Sequence, residues 1–177
     1  LIMVLTFATY FAVARTFRCF LLAFKTARTQ KKGKAMFREL NPLETYEELS
    51  QKSDAVLIDC RSPAEWHFTG TPDLSQIGKK PLLAAISDES GRPNPEFLEQ
   101  VKKVVDPAAP VYVICRVGGR SANACRLLAA EGYSALVDVV EGFEGRGDEK
   151  GHRNNVEGWK YRCLLYTSPS PRDEQSS

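Results

Sequence analysis

Cys115 stands at a junction that favours nucleophilic sulfur. The run Val111-Tyr112-Val113-Ile114-Cys115-Arg116-Val117-Gly118-Gly119-Arg120-Ser121 opens as an apolar strand after Pro110 and leads through a glycine pair into an Ala/Leu-rich helix, Ala122 to Glu131. A cysteine there faces the unpaired N–H groups and positive dipole end of the helix, where negative charge is favoured. Gly118 and Gly119 can adopt backbone angles closed to other residues, so the loop can curl into a concavity of N–H groups, an anion nest. Arg116 and Arg120 add positive charge nearby. A thiol on that floor is expected to ionise more readily than a free cysteine. Unpaired cysteines are commonly small buried hydrophobes, but two glycines and two arginines directly after Cys115 are poor core material.

The elements that must hold this loop can be read on either side of it. A short strand, Phe37 to Leu40, precedes a helix from Pro42 to Gln51, with Asn41 as its cap and Pro42 at the first helical position. Ala55 to Asp59 is an unbroken apolar strand suited to a sheet covered on both faces. Asp59 and Arg61 follow at its carboxyl end, where sites form in open α/β sheets. Cys60 lies on the opposite pleat from Asp59 and is expected to be packed, with a resolving thiol as the alternative. His67 is expected to be a partly buried aromatic. A strand near Pro81 to Ala85, a polar loop from Ser87 to Pro95 and a helix from Glu96 to Val105 lead back to the Cys115 strand. Beyond it, Ala122, Ala124, Cys125, Leu128 and Ala129 share a helical face. Ala135 to Val140 is the last strand, and Trp159 is expected to close the core.

Composition narrows the function classes. The 177 residues are enough for one domain, and 43% hydrophobic with 26% charged residues is ordinary for a soluble globular protein. Residues 1–35 hold seven of the 24 Lys/Arg and none of the 22 Asp/Glu, so the other 142 residues carry a net charge of −5. Nothing in the domain therefore favours nucleic acid. Cys19, Cys60, Cys115, Cys125 and Cys163 are odd in number and scattered, which fits neither a disulfide framework nor a zinc site. With only His67 and His152 besides, no metal is expected, and a reducing, cytoplasmic setting is favoured.

Both ends change character. Residues 1–35 are apolar and basic but are interrupted by Arg15 and Arg18, and they are expected to lie outside the folded domain. An organellar (mitochondrial) presequence, a membrane-surface helix and a spurious extension all remain open, and membrane contact is expected only if this segment is genuine. The domain is expected over residues 36–162, followed by a disordered or artefactual tail over 163–177.

Three segments, in order, resemble one family. Cys115 to Ser121 resembles the active-site loop of rhodanese-type sulfurtransferases, a cysteine followed by glycine and arginine in a six-residue turn. Leu57-Ile58-Asp59-Cys60-Arg61-Ser62-Pro63-Ala64-Glu65-Trp66 resembles the upstream signature, Asp-x-Arg and then Glu-aromatic. Gly132-Tyr133 through Val139-Val140-Glu141-Gly142-Phe143 resembles the last strand and its glycine turn. Gly142 is single where the family usually has two glycines. The turn Gly70-Thr71-Pro72-Asp73-Leu74 and the ending from Gly145 to Trp159 resemble a subgroup of single-domain rhodaneses. The resemblance implies an α/β fold, an open parallel five-stranded sheet with helices on both faces. It also implies that Asp59 and Arg61 flank the pocket and that Arg61 forms a structural ion pair with Glu65.

The implied chemistry is sulfur transfer. Cys115 would take sulfane sulfur from thiosulfate or a similar small anionic donor, hold it as a persulfide, and pass it to a thiol, to cyanide or to a protein acceptor, with no cofactor. The N–H groups of Arg116, Val117, Gly118, Gly119, Arg120 and Ser121 would bind the anionic sulfur. Arg116 would steer the donor. Arg120 would either do the same or pin the loop to an acid such as Asp59 or Glu141. Two alternatives are a non-catalytic persulfide carrier or interaction module, and a cysteine phosphatase or arsenate reductase. The latter enzymes place Arg six positions after Cys, whereas Arg120 is five after Cys115 and position 121 is Ser.

Overall fold

The computed structural model of the chain describes residues 36–167. The expected leader over residues 1–35, and residues 168–177 of the expected tail, lie outside the described residues. Three largely apolar stretches form the centre of the sheet, with Asp59 ending the first and Asp138 inside the last: β2 (Val56–Asp59), β4 (Val111–Ile114) and β5 (Leu136–Val139). Both faces of these strands are covered, which explains why they lack the polar alternation of a half-exposed strand. Two shorter strands flank them, β1 (Arg38–Leu40) beside β5 and β3 (Leu82–Leu83) beside β2. All neighbours run parallel in the order β1-β5-β4-β2-β3.

Four helices complete the expected α/β architecture: α1 (Pro42–Gln51), α2 (Pro63–Thr69), α3 (Phe97–Lys102) and α4 (Gly119–Ala130). On one face of the sheet Ile58, Cys60, Val113, Cys115 and Leu136 share a core with Phe97 and Val101 of α3 and Ala124, Cys125 and Leu128 of α4. On the other, Leu57, Tyr112, Ile114 and Val139 pack with Leu49 of α1 and with Phe143 and Trp159. The helices therefore lie on both faces. Alternate residues of each strand feed the two cores, so Asp59 and Cys60 point opposite ways.

Caps fix where the helices next to the site begin. Asn41 accepts the N–H groups of Leu43 and Glu44 at 2.9 and 3.1 Å, and Glu44 accepts the Asn41 N–H at 3.0 Å. Ser62 and Glu65 repeat this reciprocal box on α2, at 3.3 and 2.9 Å. Gly70, with φ 79°, ends that helix.

The structure revises several expected boundaries. The strand expected over Pro81 to Ala85 is formally only Leu82–Leu83, though the Ala84 and Ile86 N–H groups still donate to the Asp59 and Cys60 carbonyls. The helix expected over Glu96 to Val105 is regular only over Phe97–Lys102. Helix α4 starts at Gly119, three residues before the expected Ala122, so Gly119 is helical. The domain does not end at 162. Leu164 packs on the second core, the Trp159 indole N–H donates to the Leu165 carbonyl at 2.9 Å, and the Thr167 N–H donates to the Thr71 carbonyl at 2.9 Å. The buried indole needs an acceptor, and residues 163–167 bring one. Among the described residues no helix is long and apolar enough to cross a membrane.

Candidate active site

The turn from β4 to α4 is short, Cys115 to Gly118, because α4 begins immediately afterwards. Gly118 has φ 121°, and a Cβ there would stand 2.6 Å from the Val140 carbonyl oxygen, so angle and space both require glycine. The turn curls until the Gly118 N–H donates to the Cys115 sulfur at 3.0 Å and the Ser121 hydroxyl reaches it at 3.4 Å. Ser121 Oγ also bonds the Gly118 carbonyl, which ties the first turn of the helix to the loop. From the other side, the Phe143 N–H donates to the Cys115 carbonyl at 2.8 Å and the Glu144 N–H to the Arg116 carbonyl at 3.0 Å. Cys115 itself is 1% exposed.

The electrostatics explain a reactive sulfur, although not by the expected route. A hydrogen bond from the Cys60 thiol is the largest influence on Cys115. Burial opposes it, the Ser121 hydroxyl and the Ser121 and Gly118 N–H groups reinforce it, and the Cys115 pKa falls to about 5. The same hydrogen bond, with burial second, drives Cys60 well above its ordinary value. The two shifts run in opposite directions and favour the negative charge on Cys115 and the proton on Cys60. Arg116 and Arg120 are not leading causes, because carboxylates hold both of them. Arg116 Nε meets Glu144 Oε2 at 3.0 Å, and Arg120 grips Glu65 through two bonds of 2.8 and 2.6 Å.

These pairs overturn two expectations. Arg61 does not pair with Glu65; it is fully buried against Asp59, with Nε 2.9 Å from Oδ1 and Nη2 2.6 Å from Oδ2. Residues two apart on extended chain share a side, which brings Asp59 and Arg61 together on the face away from Cys115. Arg61 also donates to Thr69 Oγ1 and the Gly70 carbonyl, each at 2.7 Å, and lies 3.9 Å from the Phe143 ring centroid. It clamps β2, the end of α2 and the turn after β5, and touches no atom of the nest. Arg120, in turn, pairs with neither Asp59 nor Glu141. Glu65 takes it, while Glu141 accepts Arg162 and the Gly158 N–H. Burial pushes Glu65 up, but Arg120 and Ser62 outweigh it and hold the carboxyl at about 2, so it stays charged.

Three neighbours of the nest were not legible as such in the sequence. Glu144, 5% exposed, holds Arg116 across 28 residues of sequence. Cys60 was placed on the correct pleat, but nothing local revealed that it lies beside Cys115 on the neighbouring strand. Asp138, 4% exposed on β5, pairs in register with Val113 and so points to the same face as Cys115. Its Oδ1 has no hydrogen-bond partner. Burial, with the Cys115 charge adding, raises its pKa to about 6 despite a hydrogen bond with Ser121. Strand register would have been the signal for Asp138 and Cys60. His67, expected to be partly buried, is exposed with its ring 5.1 Å edge-on from Phe68.

Above the loop lies a cleft of ≈ 500 Å³ whose walls include Ser62, Glu65, Asp88, Glu89, Arg116 and Arg120. Among the described residues no cluster of His, Cys, Asp and Glu could hold a metal ion. The arrangement holds Cys115, 1% exposed, with its sulfur within hydrogen-bond reach of Gly118 and Ser121, beside a cleft lined by its chain neighbours Arg116 and Arg120.

Comparison with known proteins places this geometry in context. The sequence profile of the STR4 middle domain matches residues 40–167. A Rickettsia prowazekii protein of uncharacterized function, RP600, is 30% identical over 118 residues, covering 67% of this chain and 93% of its own length. Thiosulfate sulfurtransferase 18 of Arabidopsis thaliana is 42% identical over 87 residues, 49% of this chain and 62% of that protein. Among solved structures, Rv0390 from M. tuberculosis superposes with a TM-score of 0.69 at 35% identity, covering 73% of this chain and 96% of that one. The polysulfide-sulfur transferase homodimer of Wolinella succinogenes, at 24% identity and a TM-score of 0.51, shares the fold.

Proposed function

The chain belongs to the STR4 middle domain family and carries a rhodanese-like domain, and from that premise we propose that it is a sulfurtransferase working through a Cys115 persulfide. The observation that carries this reading is the Cys115 sulfur itself, within hydrogen-bond reach of the Gly118 N–H and the Ser121 hydroxyl and followed in the chain by Arg116 and Arg120, which line the cleft. The relative named as a thiosulfate sulfurtransferase supports it.

In the first half-reaction the Cys115 thiolate attacks the outer sulfur of thiosulfate. The S–S bond breaks, sulfite leaves with its electron pair, and Cys115 keeps the outer sulfur as a persulfide. Gly118 and Ser121 donate to the sulfur as its charge moves outward, without reorganising. In the second, a thiol or cyanide attacks the outer sulfur and Cys115 departs as the thiolate. The remaining loop residues line the approach: Val117 and the Arg116 side chain are exposed, and Arg120 is pinned to Glu65. Asp59 and Arg61 hold the scaffold.

A persulfide carrier serving a protein partner is the second reading, and the charge at the mouth favours it. Glu144 and Glu65 neutralise Arg116 and Arg120, Arg92 neutralises Asp88, and Glu89 adds negative charge to the cleft, a weak attractor for a small dianion. Intact mass before and after thiosulfate, beside Cys115→Ser, tests both readings. A gain of ~32 Da that cyanide removes, absent in the variant, is expected for the enzyme. No gain from thiosulfate, but a gain from a persulfidated protein, would identify the carrier. No gain from either, with hydrolysis of p-nitrophenyl phosphate, would replace sulfur transfer with phosphatase chemistry.

A further inference from the structure

On the strand beside Cys115, Cys60 carries a second sulfur into the same core. Strands β2 and β4 pair Asp59 with Ile114, and the Cys60 N–H donates to the Ile114 carbonyl at 2.9 Å. Cys60 and Cys115 are therefore the next residues in register on adjacent parallel strands, and both enter the same core. Adjacent strands lie about 4.8 Å apart, within the roughly 4.4–6.8 Å between Cα atoms that a disulfide spans. Both backbones are fixed: the Cys60 carbonyl accepts the Ile86 N–H at 3.2 Å and the Cys115 carbonyl accepts the Phe143 N–H at 2.8 Å. Cys60 is fully buried, so no molecule from solvent competes with Cys115 for it. Cys125 shares the core from α4 but is not hydrogen-bonded to Cys115, and burial raises its pKa to about 12.

Resting on the sulfurtransferase reading, we propose that Cys60 is an internal acceptor that converts the Cys115 persulfide into hydrosulfide and a Cys60–Cys115 disulfide. The domain would then be a sulfane-sulfur reductase whenever a dithiol is supplied. The Cys60 sulfur attacks the inner sulfur, that of Cys115. The Cys60–Cys115 bond forms as the bond from Cys115 to the outer sulfur breaks. The outer sulfur leaves with the electron pair, takes the Cys60 proton and departs as HS⁻. Sulfane sulfur is thereby reduced to sulfide while the two cysteine sulfurs are oxidised to a disulfide, which a small dithiol reduces by exchange.

Loading is the trigger. In the resting site negative charge on Cys115 favours the protonated form of Cys60. Once a persulfide forms, the negative charge moves to the outer atom, and Cys60 faces a neutral, electrophilic sulfur.

The test is one anaerobic turnover of the full chain with thiosulfate and no thiol, reading sulfite, sulfide, intact mass and a peptide map. The wild type is expected to release sulfite and then sulfide in equal amounts. Its mass should rise by ~32 Da and settle ~2 Da below the start, with residues 60 and 115 cross-linked in the map. Cys60→Ser, which keeps a hydrogen-bond donor, and Cys60→Ala are expected to release sulfite, withhold sulfide and retain the added mass. Cys125→Ser is expected to follow the wild type. Sulfite without sulfide from the wild type, with the added mass retained, overturns the proposal and leaves sulfur transfer standing. No sulfite and no added mass overturn the thiosulfate sulfurtransferase reading and this proposal with it. The wild-type cross-link is decisive even if a Cys60 variant fails to fold.

Discussion

At the scale of single residues, the site depends on hydrogen bonds aimed at one sulfur more than on nearby positive charge. With Cys115 at about 5, its alkylation rate by iodoacetamide should be flat above pH 7 and fall roughly tenfold per unit below pH 5. A midpoint near 9 would mean that the donors do not hold a thiolate. Asp138 supplies an opposite case. Its folded pKa, about 6, lies above the ordinary 3.8, so the neutral acid is the form that folding favours. Its stabilising contribution is complete below pH 3.8 and is lost as pH rises through 6, leaving a buried charge at pH 7.5. Asp138→Asn should therefore raise Tm by roughly 5 °C at pH 7.5 and change little below pH 4; equal shifts at both pH values would point to packing. Cys115 and its loop were legible because strand, glycines and helix lie side by side in sequence. Asp138 was not, because only the register of two parallel strands places it beside Cys115, and no local spacing encodes that register.

At the scale of elements, the nest is a junction between the β4–α4 turn and the turn after β5. Gly142, with φ 69°, is where they touch: a Cβ there would stand 2.6 Å from the Arg116 carbonyl and the Val117 N. Gly142→Ala should push the two turns apart and slow persulfide loading at least tenfold, seen in single-turnover sulfite release. Gly119 has open space around its Cβ position and helical geometry. Gly119→Ala should leave the fold intact or stabilise it by ~0.5–1 kcal/mol, measured by urea unfolding. In the sequence Gly119 reads as a second loop glycine beside Gly118, because a motif reveals which residues are present and not which backbone lies against them. Helix α1, by contrast, was legible at its start, since Asn41 caps it and Pro42 suits its first position. The Arg120–Glu65 pair was hidden because the resemblance assigned Glu65 to Arg61, while the fold brings together residues 55 apart in sequence.

At the scale of the whole molecule, residues 163–167 belong to the fold. They give the Trp159 indole its acceptor and lay Leu164 on the second core. A chain ending at Arg162 should melt roughly 5 °C below one ending at Thr167, and equal Tm values would make that segment dispensable. Its role was concealed because these five residues run straight into the polar Ser/Pro stretch that follows Thr167 and were grouped with it. The sheet order carries a consequence of another kind. Its two margins are its two shortest strands, Arg38–Leu40 and Leu82–Leu83, the first with charged Arg38 and Glu39 and the second preceded by Pro81, which has no N–H to offer. Margins so brief give another copy of the chain little ladder to extend, so at high concentration this domain should resist edge-to-edge fibril growth even though the three strands between them are among its most apolar segments.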